Sequence, residues 1–380
     1  MDSCIDKVEN ALLEILRREV TGQDGTEKME LSVAGLNAVM RLAREHAVTG
    51  LVANAAMRNR IVIAGGVAEG RGVAVMRLMQ QTMAHRQNQR RFEDAVGRFA
   101  RLMKENGIAY VVFKGLAVAR YYPEPFVRTM GDVDFYVPQR DFLRAVAVIE
   151  QELQVNIEKE DIDKHYSFDY QGIRFEMHYQ IETFGYGKHQ RYFNLMIDEC
   201  ISKGADNFSI TDAKSESNRE EVSVLPPTED LIVVFKHWFN HLLVEGVGLR
   251  QTTDLAVLLV AYRNRIDVAR LMKVLDGIGY MKAFRAMLAM MKKYFGENWV
   301  DSFCVLNSRD EQYADKLMAT IMESGNFGRK AYRNHTTGKQ KSMETATRAL
   351  RHCVTFLRLA SKDIICLIPR RIGITLKQKF

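Results

Sequence analysis

The sequence predicts an α+β fold in which a small mixed β-sheet core is flanked by helical regions on its N-terminal and C-terminal sides. Three patterns predict it. Apolar residues recur at three- and four-residue spacings before residue 106, switch to two-residue alternation between 110 and 181, and return to helical spacing after Pro226-Pro227. At 380 residues and 47% hydrophobic content the chain is long enough for two or three packed cores. The expected segments are a helical region (1–106), the mixed core (107–201), a flexible polar loop (202–225), a helical domain (226–328) and a basic helical tail (329–380).

In order, helices are expected over 6–18 and 32–46, followed by a break at Gly65-Gly66. A longer helix over 73–105 ends at Asn106-Gly107, a pair suited to a left-handed C-terminal cap. Its Met76, Met79, Met83, Phe92 and Phe99 read as packing residues, and the run 85–91 as a solvated face. The stretch 110–138 reads as an apolar strand, a Lys114-Gly115 turn, a short helix, a Pro-bearing loop with Arg128, and a second strand carrying Asp132-Val133-Asp134. Pro138 stops the ladder and 140–153 forms a helix. A hairpin over 165–181 turns at Gln171-Gly172, which sets Tyr170 against Ile173, Phe168 against Phe175 and His165 against His178. Residues 202–221 are polar and read as loop. A helix then starts with Thr228 as its N-cap and Glu229 and Asp230 in its first turn.

The chemistry concentrates on three carboxylates. Alternate residues of a strand share a face, so Asp132 and Asp134 stand side by side while Val133 and Phe135 point into the core. Two adjacent carboxylates repel, which calls for a cation, a basic partner or a raised pKa on one of them. Oxygen-only ligands in this arrangement suit Mg²⁺ or Mn²⁺. Glu176, between Phe175 and Met177, adds a third acidic group; its alternative is a polar residue of an exposed edge strand. His237 and His241 lie one turn apart without the glutamate of a zincin motif. Arg250 and Asp254, also one turn apart, have an intrahelical ion pair as their plain reading.

The formal net charge of +7 gathers in the tail, where Arg348, Arg351, Arg358, Lys362, Arg370, Arg371, Lys377 and Lys379 recur among apolar positions. Such a tail either meets an anionic surface or is a solvated helix face. Cys4, Cys200, Cys304, Cys353 and Cys366 are scattered without a C-x-x-C pair, which points to reduced thiols. The acidic N-terminus lacks an apolar signal region and no apolar run is long enough to span a bilayer, so a cytoplasmic protein without a transmembrane segment is expected.

Lys114-Gly115, Arg128, Gly131-Asp132-Val133-Asp134, Phe175-Glu176-Met177, His237 and His241, Gly248-Leu249-Arg250 with Asp254, and Gly325-Asn326-Phe327-Gly328 together resemble one family. It is the bacterial nucleotidyltransferase-like family found near polysaccharide-biosynthesis genes, of the polymerase-β-type nucleotidyltransferase superfamily. The resemblance spans residues 36–328 and implies a nucleotidyltransferase core with a two-metal site. Asp132 and Asp134 would hold Mg²⁺ (or Mn²⁺) and Glu176 would complete the second metal site. The Lys114-Gly115 turn would cradle phosphate, Lys114 as a point charge, with Arg128 as a bidentate partner. His178, His237, His241, Arg250 and Asp254 would line the cleft. Active superfamily members usually carry Gly-Ser where this chain has Lys114-Gly115. The implied activity is Mg-dependent transfer of an NMP group from an NTP to a hydroxyl or phosphate acceptor, with a glycan precursor, protein or RNA as acceptor. The alternatives are a catalytically silent, nucleotide-binding accessory protein of polysaccharide assembly and an enzyme acting on RNA.

Overall fold

The computed structural model describes residues 6–22, 28–65, 70–159, 165–212, 215–296, 298–328 and 338–367. The helix Lys7–Thr21 begins where Asp6 accepts hydrogen bonds from the amides of Val8 and Glu9, in a capping box with Glu9. Ser32 caps Val33–Glu45 in the same way through the Gly35 amide. The long helix Arg71–Glu105 ends at Asn106, and Gly107 takes the left-handed conformation with φ 57°. The sequence did not predict β1 (Met29–Ser32) and β2 (Ile61–Ala64), which pair in parallel against this helical region.

The core is a mixed seven-stranded sheet of β3 (Val111–Phe113), β4 (Asp132–Tyr136), β5 (Glu158–Lys159), β6 (His165–Tyr170), β7 (Ile173–His178), β8 (Asp206–Asp212) and β9 (Ser215–Val224). Their spatial order is β5-β6-β7-β4-β3-β9-β8. Strand alternation divides the side chains between two cores. Val112, Val133, Phe135, Phe175 and Met177 pack with Phe99 and Met103 of the long helix. Val111, Phe113 and Tyr136 face the opposite way, into the large core of Trp238, Phe239 and Leu258. Asp132 and Asp134 share the alternation phase of Tyr136, so they stand on the sheet face turned toward the C-terminal helices.

Four expectations need correction. The 202–225 segment is a hairpin, β8 pairing antiparallel with β9 and β9 extending the sheet through Val112 opposite Val224. Its few apolar residues suffice because Ile210, Val222 and Val224 alternate onto the buried face. Thr228 lies inside its helix, Pro227–Leu243, where its hydroxyl accepts from the Asp267 amide at 3.1 Å. Met76, Met79 and Met83 are 61%, 47% and 70% exposed, while Phe92 and Phe99 are buried. Periodicity shows which residues share a helix face, not whether another element covers it. In the run 85–91, Gln89 is buried and the His85 ring lies 3.3 Å from the Thr49 hydroxyl.

The basic tail is docked over its described part. Within Gly338–Phe356, Arg348 is buried and donates to the Glu245 carbonyl, and His352 Nδ1 meets the Leu242 carbonyl at 2.7 Å. Arg351, Arg358 and Lys362 are exposed, whereas Arg370, Arg371, Lys377 and Lys379 lie outside the described residues. Among the described residues, no helix is long and apolar enough to cross a membrane.

Candidate active site

Parallel pairing of β4 with β7 sets Asp134 directly beside Glu176, and antiparallel pairing of β6 with β7 sets His165 beside His178. The hairpin turns at Gln171-Gly172 with both residues at positive φ (53° and 70°), the requirement of a type I′ turn. Because β7 lies between β6 and β4, Glu176 is not on an edge strand, and that alternative is excluded. Asp132, Asp134, Glu176, His178 and His165 therefore form one row across three strands.

Lys114, at the end of β3, closes the row. Its Nζ lies 2.9 Å from Asp134 Oδ1, and His178 Nε2 lies 3.0 Å from the same oxygen. Glu176 Oε2 is 3.7 Å from Nε2 of both His165 and His178. Burial and the neighbouring Asp134 charge push the Asp132 carboxyl above its ordinary range. Burial acts upward on Asp134 too, but the Lys114 ammonium and the His178 hydrogen bond hold it well below. Against burial, Glu176 is likewise held low by the His178 hydrogen bond. Lys114 stays protonated because Asp134, Glu182 and Asp132 outweigh its burial.

The facing wall comes from Pro227–Leu243 and its neighbours. His237 Nδ1 lies 3.0 Å from Glu182 Oε1, and Asn240 Nδ2 donates to Glu182 Oε2 at 2.7 Å. Burial, then the Lys114 charge and His241, push the His237 pKa down to about 3. A neutral imidazole beside a carboxylate donates from the nitrogen it turns to it, so His237 Nε2 carries the lone pair. The ring of His241 sits 4.3 Å from that of His237 and 5.1 Å from that of Phe327. The Arg250 guanidinium lies 5.3 Å over Phe327, and Nη1 donates to the Thr129 carbonyl at 3.3 Å. Phe327 holds this place from a left-handed backbone position, φ 53° and ψ 37°.

Two of the sequence-derived site residues are engaged with each other. Arg128 Nε and Nη2 each meet an oxygen of Asp254 at 2.8 Å, and the Tyr122 hydroxyl donates to Asp254 at the same distance. Asp254 thus pairs with Arg128, and the intrahelical pair with Arg250 does not form. The guanidinium fork assigned to phosphate is filled by this carboxylate, which corrects the reading of both residues. Gly115 has φ +30°, and a Cβ there would meet the Asp132 carbonyl at 3.3 Å. Sequence reasoning missed Glu182 as a member of the site. Its signal was a lone carboxylate between Ile181 and Phe184, a charge with no reason to be buried unless it has a partner. From the sequence, Phe327 reads only as part of the Gly325–Gly328 turn.

Asp132, Asp134 and Glu176 offer oxygen donors, and burial together with the Asp134 charge raises the Asp132 carboxyl, which a cation would relieve. That donor set fits a hard divalent ion such as Mg²⁺ or Mn²⁺. No curated protein matches the chain. A solved structure described as an antigenic nucleotidyltransferase-like protein from Paracoccidioides brasiliensis is similar over 58% of this chain and 96% of that one. Its identity is 11% and its TM-score 0.33, too distant to carry an inference. The family model described as "uncharacterised nucleotidyltransferase" matches residues 33–296, which is more than half of the chain and includes every residue of the row, Lys114, His237, His241 and Arg250. The chain belongs to that nucleotidyltransferase family.

Proposed function

We propose that the chain transfers an NMP group from an NTP to a hydroxyl or phosphate acceptor. The observation that carries this reading is the carboxylate row Asp132, Asp134 and Glu176, set by strand register opposite a helical wall with Arg250 and a neutral His237. Mg²⁺ or Mn²⁺ held by those carboxylates would neutralise the triphosphate and lower the pKa of the acceptor hydroxyl. The Arg250 guanidinium supplies a fixed positive charge for phosphate, and the Phe327 ring and Thr129 carbonyl hold it in place. His237 Nε2 offers a lone pair to an acceptor proton, while Glu182 fixes the ring's orientation. Arg128 and Asp254 act as a strut that ties the loop before β4 to the helix Leu249–Tyr262.

Pyrophosphate release from each NTP with Mg²⁺ or Mn²⁺ tests the reading, with glycan precursors, protein and RNA as acceptors. Release should occur with the wild type and fall at least a hundredfold in Asp132→Asn/Asp134→Asn; equal release from both would sink the assignment. A glycan acceptor rests on the sequence resemblance alone. An NTP donor supports a cytoplasmic site of action. One observation favours a second reading, a silent nucleotide-binding accessory protein: Asp134 Oδ1 already has Lys114 and His178 as partners. Metal-dependent nucleotide binding without pyrophosphate release would select it.

A further inference from the structure

We propose that the Lys114 ammonium takes the place of one of two metal cations, so that the site accepts a single divalent ion. The proposal deepens the nucleotidyl-transfer reading and takes the location of the site from it. Three observations converge on Lys114.

The first is its place. Nζ forms a 2.9 Å ion pair with Asp134 Oδ1, the two side chains only 12% and 7% exposed. The carboxylate at the centre of the row therefore has a permanent cation in direct contact. The second is its backbone. Lys114 has φ 57° and ψ −144°, a region that glycine enters freely and that a residue with a Cβ reaches only at a cost. The neighbouring fold imposes this conformation, since Lys114 must end β3 and start the helix Gly115–Ala119 in one step. Glycine is the residue this position would favour on local grounds, so the ammonium is what lysine adds.

The third is charge. Asp132 and Glu182 lie near enough to attract the same ammonium, so Lys114 faces several carboxylates of the site and not Asp134 alone. A flexible, fully solvated lysine would not act this way. Buried against Asp134 and attracted also by Glu182 and Asp132, Lys114 is a fixed counter-ion.

The test counts bound Mn²⁺ on the full-length chain, by electron paramagnetic resonance of the unbound ion during titration with Mn²⁺ alone. Wild type should bind one ion per chain. Lys114→Gly suits the backbone and removes the ammonium, and should bind a second ion or bind the first at least tenfold tighter. Lys114→Arg keeps the charge and should bind one. Two ions, or none, on the wild type would overturn the proposal, as would a Lys114→Gly titration that superimposes on the wild type. The wild-type count decides the matter alone should that variant fail a circular-dichroism check of folding. Pyrophosphate release is read separately. Two ions with release would sink the Lys114 proposal and leave the transfer reading standing, and one ion without release would do the reverse.

Discussion

Arg128 and Asp254 meet through two hydrogen bonds of 2.8 Å with both side chains 6% exposed. Removing either partner leaves a charge away from water with nothing to balance it, which costs roughly 3–5 kcal/mol for a buried pair. Arg128→Ala or Asp254→Ala should therefore lower unfolding stability by about that amount in urea. Replacing both by leucine should cost far less, because no orphaned charge remains. A loss below about 1 kcal/mol for the single variants would return Arg128 to the list of exposed phosphate ligands. At this scale the sequence showed which residues carry charge. It did not show that Arg128 faces Asp254 while Arg250 faces Phe327, because helical spacing allowed an equally good pair within Leu249–Tyr262.

The β6–β7 hairpin was legible because its determinants are local. Gln171-Gly172 sits between alternating segments, and the register that follows places Phe168 against Phe175 and His165 against His178. Gly172 has φ +70°, and a Cβ there would lie 3.4 Å from Arg91 Nη2. Gly172→Ala should cost about 1 kcal/mol of stability, read from the urea midpoint, without shifting the hairpin register. No loss would mean that the turn is not type I′ in solution. The β8–β9 hairpin escaped sequence reading for the opposite reason. Its polar residues resemble those of a loop, and its strands are held by pairing with each other and by Ile210, Val222 and Val224 packing in the core with the long helix, over a hundred residues earlier in the chain. The exposed methionines of Arg71–Glu105 make the same point: their spacing is helical, and only the placement of neighbouring elements leaves them uncovered.

Over the whole molecule, the described part of the tail is packed against the rest of the structure. Asp363 is fully buried, accepts from the Tyr186 amide at 2.7 Å and from the Tyr280 hydroxyl at 2.6 Å, and so joins residues 361–367 to the helical domain. Asp363→Ala would leave that hydroxyl and amide without their acceptor, and each unsatisfied buried donor costs about 1–3 kcal/mol. Thermal unfolding should show the drop. An unchanged melting temperature would mean that the tail is only a solvated appendage.

The sequence by itself determined the fold class, the order of most elements, and the common face of Asp132 and Asp134. Those follow from alternation, helical spacing and turn residues, which act over a few positions along the chain. Only the tertiary structure decided the partners: Lys114 with Asp134 across 20 residues, Glu182 with His237 across 55, and Arg128 with Asp254 across 126. A charged side chain carries no mark of its counter-ion in the sequence. The choice is made where packing removes water and leaves one opposite charge within reach.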